Sequence, residues 1–305
     1  MEILQNFDLK PYTTLKIGGL AKSAYFPSTT EEMADTIISL KNNENAYTLI
    51  GAGSNLLISS GGVSGASILT KNLKTITQLD ENTFYAECGV KSSIFSKAVY
   101  DARLEGAEFL IGIPGSVGGA IYMNAGAHGQ NIKDIIVSVR VLDKGTNCIV
   151  DIPADELDFT YRSSTFMSKD YVILSGTFKM NRGNKEQIKE KMDFHVNYRA
   201  EHHPPLTEYS AGSTFRNPDG EYAANLLEKV GAKEYIENGK IRFSTKHANF
   251  LYNFNDASSL DAVRLMYNMW DRVNKKFNIK LHPEIRFIGN KTEEEVELWK
   301  IMTEL

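Results

Sequence analysis

The sequence predicts an α+β fold from three observations: β-rich runs interleave with helical spacing, glycine-rich loops follow strands, and the chain changes character after Arg199. Tyr47-Thr-Leu-Ile50 runs into Gly51 and reads as a strand entering a tight loop. Residues 83–89 alternate, which predicts a strand with Cys88 as a plain core residue. Phe95, Ala98, Val99 and Ala102 recur at helical spacing and predict a helix over 93–105. Val137, Val139 and Val141 alternate within 135–142, and 171–178 is a second β-rich stretch. Ile188, Met192 and Val196 recur every fourth residue. They predict an amphipathic helix over 183–199, its charged face from Lys185 to Lys191 in water. His202-His-Pro-Pro205 ends that helix, because proline disfavours helix at the residue before it, and a domain boundary is placed there. A helix follows over 221–230. Over 258–277, Val263, Met266, Tyr267, Trp270 and Val273 share one side of a long helix and read as core. Thr292-Glu-Glu-Glu295 reads as a capping box that starts a terminal helix.

A length of 305 residues allows two or three domains, since single cores stop growing near about 250–300 residues. Hydrophobic content of 42% and charged content of 24% are those of a globular chain. The net charge of −4 supplies no basic surface for nucleic acid. Cys88 and Cys148 form neither a metal spacing nor a disulfide framework. His202 and His203, adjacent on a proline-rich turn, are poor ligand geometry, so no metal is expected. The first residues lack the basic start and apolar run of a signal peptide, and nowhere do about 18 apolar residues run together. The expectation is a cytoplasmic protein with no membrane contact, a monomer or weak dimer.

Two loops are rich in glycine: Gly51-Ala-Gly-Ser-Asn-Leu-Leu57 after the first strand, and Gly112-Ile-Pro-Gly-Ser-Val-Gly-Gly119 before Ala120-Ile-Tyr-Met-Asn-Ala-Gly-Ala127. Glycine lets backbone approach a ligand closely, and successive N–H groups make a donor surface suited to a diphosphate. Ser54 and Ser116 each add a hydroxyl. The first loop lacks the third glycine of a dinucleotide fingerprint, and no Gly-Lys-Ser/Thr of a P-loop follows either. On the loops alone, a phosphate-bearing cofactor and a pair of tight turns both stand.

Further motifs run through the chain: Thr13-Thr-Leu-Lys-Ile-Gly-Gly19, Met123-Asn-Ala-Gly126, Tyr161-Arg-Ser-Ser164, Ser210-Ala-Gly-Ser-Thr-Phe-Arg-Asn-Pro218, Lys246-His-Ala-Asn-Phe250 and His282-Pro-Glu284. With the two glycine loops, and in this order, they resemble the UDP-N-acetylenolpyruvoylglucosamine reductase family (MurB). The single Tyr-Arg-x-Ser motif and short middle region are similar to its type II form. The resemblance covers nearly the whole chain. It implies an FAD-binding fold of the vanillyl-alcohol-oxidase (PCMH) type in two subdomains, 1–72 (completed by about 272–305) and 73–204. A C-terminal α+β substrate-binding domain over 205–271 follows. It also implies a cytoplasmic flavoenzyme of cell-wall precursor synthesis, with FAD as cofactor and NADPH as electron donor. Its substrate would be an enolpyruvyl ether of UDP-N-acetylglucosamine, with hydride passing from flavin N5 to C3, a proton added at C2, and UDP-N-acetylmuramate as product.

The same resemblance assigns residues. FAD contacts fall on Gly51, Ala52, Gly53, Ser54, Asn55 and Leu56, and on Pro114, Gly115, Ser116, Gly118 and Gly119. Asn124, Ala125, Gly126 and Val172 complete that set. Arg162 suits the anion that develops at C2 and its carboxylate, because a guanidinium stays charged and grips a carboxylate through two bonds. Ser213 aligns with the proton donor at C2 and Glu284 with the carboxyl beside the enol, where hydrogen bonding would favour its protonated form. Serine is a weak acid, so Arg216, Lys246 and His247 are expected to stabilise its alkoxide. Asn217 and Lys246 are expected at the UDP diphosphate or sugar.

The chain departs from the family pattern at His203-Pro204, where Lys-Gln is usual. A histidine mostly neutral at pH 7 replaces a lysine there, which bears on substrate affinity and its pH dependence. Arg216 stands for Lys, Tyr12 for Asn and His128 for Tyr. Two rivals remain at this level: a flavin-dependent sugar or alcohol oxidase of the same fold, and a non-catalytic nucleotide-sugar binding protein.

Overall fold

The structure is a computed structural model and describes residues 1–304. The chain divides into two compact units, each assembled from separate stretches. Unit 1 comprises Met1–Leu4, Ala24–Ala52 and Ala66–Arg199. Unit 2 comprises Gln5–Ser23, Gly53–Gly65 and everything from Ala200.

Unit 1 is organised around a five-stranded antiparallel sheet in the order Cys148–Pro153, Ile136–Asp143, Tyr171–Lys179, Thr83–Glu87, Ile76–Gln78. Its central strand is buried without a break from Val172 to Gly176, as a strand covered on both faces must be. Helix α1 (Thr30–Asn42) packs on it, started by Thr29, whose hydroxyl accepts from the Glu32 N–H. Helix α2 (Ser92–Asp101) buries Phe95 and Val99, and the short α3 (Val117–Tyr122) lies against the same central strand. Tyr47–Ile50 pairs in parallel with Val63–Leu69 in a second, four-stranded sheet. Helix α4 (Lys185–His202) closes the unit's sequence and stops before His203-Pro204. The division between the units falls in its last turn.

Unit 2 has its own core around the three-stranded sheet Ile236–Glu237, Ile241–Phe243, Leu251–Asn253. Helix α5 (Ala223–Glu228) and helix α6 (Ser259–Phe277) cover it. Val263, Met266, Trp270 and Val273 of α6 are buried, and the Trp270 indole donates to Leu281 O at 2.9 Å. Both predicted helix starts form full capping boxes: Ser258 with Asp261 on α6, and Thr292 with Glu295 on α7 (Glu293–Thr303). Leu56–Ile58 pairs in parallel with Arg286–Ile288.

Two details differ from the expectations. The helix predicted over 93–105 stops at Asp101. Arg103 turns left-handed (φ 60°), and Leu104–Glu105 pairs with Asn181–Arg182 instead. On α4, Val196 is 46% exposed, whereas Ile188, Met192 and His195 are buried. A strict spacing of four drifts around a helix of 3.6 residues per turn, so the inward row passes from Met192 to His195. Residue 271 lies inside α6, and Leu15, Ile17 and Leu57 share one core with α6, Leu281 and Phe287.

Leu265, fully buried on α6, should cost about 2–5 kcal/mol when cut to alanine. Val296→Ala on the half-exposed face of α7 should stay within about 0.5 kcal/mol. Urea unfolding of the two variants checks the contrast, and equal midpoints would contradict the α6 core.

Candidate active site

In unit 1 the second glycine loop meets the end of the first. A Cβ on Gly51 would lie 2.8 Å from Ser116 Oγ. The loop is seated by close backbone approach, since a Cβ on Gly118 would come within 2.7 Å of Cys88 Cβ. Burial pushes the Cys88 thiol up to about 12, so it is core filling and not a thiolate. Val117 and Gly118 donate to Val90 O and Cys88 O, both at 2.8 Å, so α3 spends its first N–H groups holding the loop. Among the described residues, the N–H groups of Ala52, Gly115 and Ser116 meet no acceptor. The donors open to an anion are therefore the loops themselves, which fits the diphosphate of a dinucleotide. Val172 is buried in the core of this unit, so its side chain packs.

Arg162 occupies the tip of a hairpin between Phe159–Thr160 and Ser163–Ser164. Its φ of 53° is left-handed, a conformation that costs a non-glycine residue about 1–2 kcal/mol and marks a constrained position. The hairpin is tied to the segment after α3. Ser164 Oγ donates to Tyr122 O at 2.6 Å, and the Asn124 amide donates to Thr160 O at 3.0 Å. The other end of Asn124 accepts from the Lys133 N–H, so this residue, expected at FAD, has both polar ends in the frame. Arg162 Nη2 donates to Gly126 O at 3.3 Å, and its guanidinium lies over the Tyr161 ring at 5.3 Å.

In unit 2, Ser213 follows Gly212 (φ 73°) and forms a bridge with Phe250. The next residues lie between two segments. Thr214 N donates to Asn249 O at 2.7 Å, and Glu284 N donates to Thr214 O at 2.8 Å. Buried Asn249 clamps this segment, accepting from Phe215 N at 2.9 Å and donating to Phe215 O at 2.8 Å. Asn55 Nδ2 donates to Glu284 O at 3.1 Å, and Arg286 N to Asn55 O at 2.9 Å. Ser213 and Glu284 thus stand on adjacent segments of one frame. Gly53, at φ 65° with Tyr12 O only 2.0 Å from where a Cβ would sit, anchors the loop that carries Asn55.

The predicted substrate residues gather in the same unit. Arg216 N donates to His282 O at 2.8 Å. Asn217 Oδ1 accepts from Ala223 N at 3.0 Å and so helps to start α5. Lys246 Nζ donates to Ala200 O. His203 stacks on Phe250 with ring centroids 5.0 Å apart, and His247 meets Phe250 edge-on at 4.6 Å. Burial, then the charge of Lys233, holds the His247 imidazole below its ordinary range, and its Nδ1 accepts from the Asn249 N–H.

Two glycine loops with N–H groups left free of backbone acceptors fit the class that the family model gives, an FAD-binding protein. Residues 21–151 match the family model described as an FAD binding domain. Residues 204–288 match the UDP-N-acetylenolpyruvoylglucosamine reductase C-terminal domain. The enzyme of that name from Caldanaerobacter subterraneus is 36% identical, covering 94% of this chain and 93% of its own. The one from Clostridium beijerinckii is 38% identical over 90% and 89%. The crystal structure of the Thermus caldophilus enzyme superposes with a TM-score of 0.77 at 29% identity, over 94% of this chain and 98% of that one. The chain belongs to the UDP-N-acetylenolpyruvoylglucosamine reductase family.

Sequence reasoning missed Asn249, although it quoted the motif containing it. Nothing local shows that an asparagine will bond both backbone groups of a residue 34 positions away. Among the described residues no helix is long and apolar enough to cross a membrane, and no group of three or more His, Cys, Asp or Glu is placed to hold a metal.

Gly53→Ala should fold poorly in this loop and lose bound flavin, read as the flavin-to-protein absorbance ratio. A fully loaded variant would show that the loop does not serve the cofactor. Burial is also the main force lowering His195 and His282, aided by His128 and Arg216 respectively. With His247 they bind fewer protons folded than unfolded across the ordinary histidine range. Stability should therefore be full above about pH 6.5 and fall as pH drops through that range. Urea midpoints at about pH 8 and about pH 5.5 measure it, and a midpoint that rises on acidification would refute it.

Proposed function

We propose that this chain is the NADPH-dependent flavoenzyme that reduces the enolpyruvyl ether of UDP-N-acetylglucosamine to UDP-N-acetylmuramate. The observation that supports the reading is the backbone frame that holds Ser213 and Glu284 on adjacent segments. When bound, FAD would supply the hydride for C3 of the enolpyruvyl group, with NADPH as its source of electrons. In the first unit, the loops at 51–52 and 114–119 would hold its diphosphate through backbone donors.

Arg162 grips the substrate carboxylate and stabilises the negative charge that develops at C2. Ser213 gives its proton to C2. The alkoxide that remains is stabilised by its neighbours Arg216, Lys246 and His247. Glu284 supports the enol by hydrogen bonding. His203, Asn217 and Lys246 bind the diphosphate and sugar. By role, the finer layout is FAD on 1–72 with 272–305 and on 73–204, and substrate on 205–271. The small-molecule partners NADPH and a UDP-sugar place the work in the cytoplasm.

The decisive measurement is NADPH oxidation by purified protein with and without the enolpyruvyl substrate, following flavin absorbance alongside. Substrate-dependent oxidation supports the reading, and equal rates in both arms overturn it. Flavin that stays attached after acid denaturation would favour an oxidase. Arg162→Ala, Ser213→Ala and Glu284→Ala should each lower turnover about 10²–10³-fold while flavin stays bound. Near wild-type reduction by Ser213→Ala would remove that residue from the proton step.

A further inference from the structure

We propose that His128 is a positioning residue for Arg162: its ring latches the hairpin 126–131 onto α4 and so fixes the carbonyl that Arg162 uses. The inference rests on the role given to Arg162 above. Gly126–Ala127 pairs with Gln130–Asn131 around a two-residue turn, His128-Gly129, with φ values of 53° and 84°. Positive φ at both positions is the hairpin turn that matches strand twist. An isolated two-stranded hairpin is barely stable in water, so its position depends on what its tip touches.

The tip touches α4. The His128 ring meets Tyr198 edge-on at 4.4 Å and interplanar 85°, Phe194 at 5.1 Å and 68°, and His195 at 5.0 Å. Edge-to-face placement at these separations is the favoured geometry of aromatic pairs. The platform is seated on its inner side, where Ile188, Met192 and His195 of α4 are buried. At the other end of the hairpin, Gly126 O accepts from Arg162 Nη2. The path His128, Gly126 carbonyl, Arg162 guanidinium is continuous. An arginine on a strained hairpin tip needs such a second anchor to keep its fork aimed.

The test is a double-mutant cycle in the flavin-loaded enzyme, with His128→Ala and Arg162→Lys made singly and together. His128→Ala should lower kcat about tenfold with KM within about twofold, unchanged flavin content and an unchanged melting temperature. His128→Phe, which keeps the ring, should restore kcat to within about twofold. In the Arg162→Lys background the histidine change should cost less than about twofold. Equal losses in both backgrounds, a KM effect without a kcat effect, or no loss at all would overturn the proposal. If His128→Ala fails to fold, Tyr198→Ala on the α4 side replaces it under the same expectations. Full turnover by Arg162→Ala would sink the role of Arg162 itself. An inactive Arg162→Ala beside a fully active His128→Ala would sink only the linkage.

Discussion

A peptide group removed from water must find a hydrogen-bond partner, and the segments that carry the proposed site residues are too irregular to find one in a sheet. Asparagine side chains meet that demand in both units. Asn124 ties the base of the Arg162 hairpin to the chain after α3. Asn249 bonds both backbone groups of Phe215, two residues beyond Ser213. Asn253 donates to Leu15 O and accepts from Ala257 N, and Asn55 holds the carbonyl of Glu284. An amide carries donors and an acceptor on one short arm, so it can stand in for a missing neighbouring strand.

This way of building suits the chemistry. In the proposed reaction a hydride and a proton arrive at neighbouring carbons, and a misplacement of about 1 Å in the groups proposed to serve them would be costly. Side chains on loops avoid that only when the loop backbone is over-determined. The strained φ of Arg162 persists under these conditions: ties on both sides of the hairpin hold a conformation that a free loop would relax. The glycine loops follow the opposite rule. They are seated by close approach at Gly51, Gly53 and Gly118, and among the described residues the N–H groups of Ala52, Gly115 and Ser116 meet no backbone acceptor.

Much of this was legible in the residues. The run 171–178, the capping box at Thr292 and the long helix α6 with its apolar side formed where periodicity and caps placed them. The ordered motifs pointed to the family that the whole-length relatives define. The helix over 93–105 was misjudged at its end because pairing of Leu104–Glu105 with Asn181–Arg182 outweighed local preference. Val196 was misjudged because a period of four imitates helical spacing over three residues and then diverges from it.

The sequence by itself determined the elements, the glycine loops and the kinds of side chain available for catalysis, since these depend on neighbours within a few positions. Only the tertiary structure decided that His195 and not Val196 faces inward, that two units are each assembled from separate stretches, and which carbonyls the asparagines reach. Asn55 and the Glu284 carbonyl are 229 positions apart. Hydrogen-bond partners at that separation are chosen by packing, and packing leaves no periodic trace in the chain.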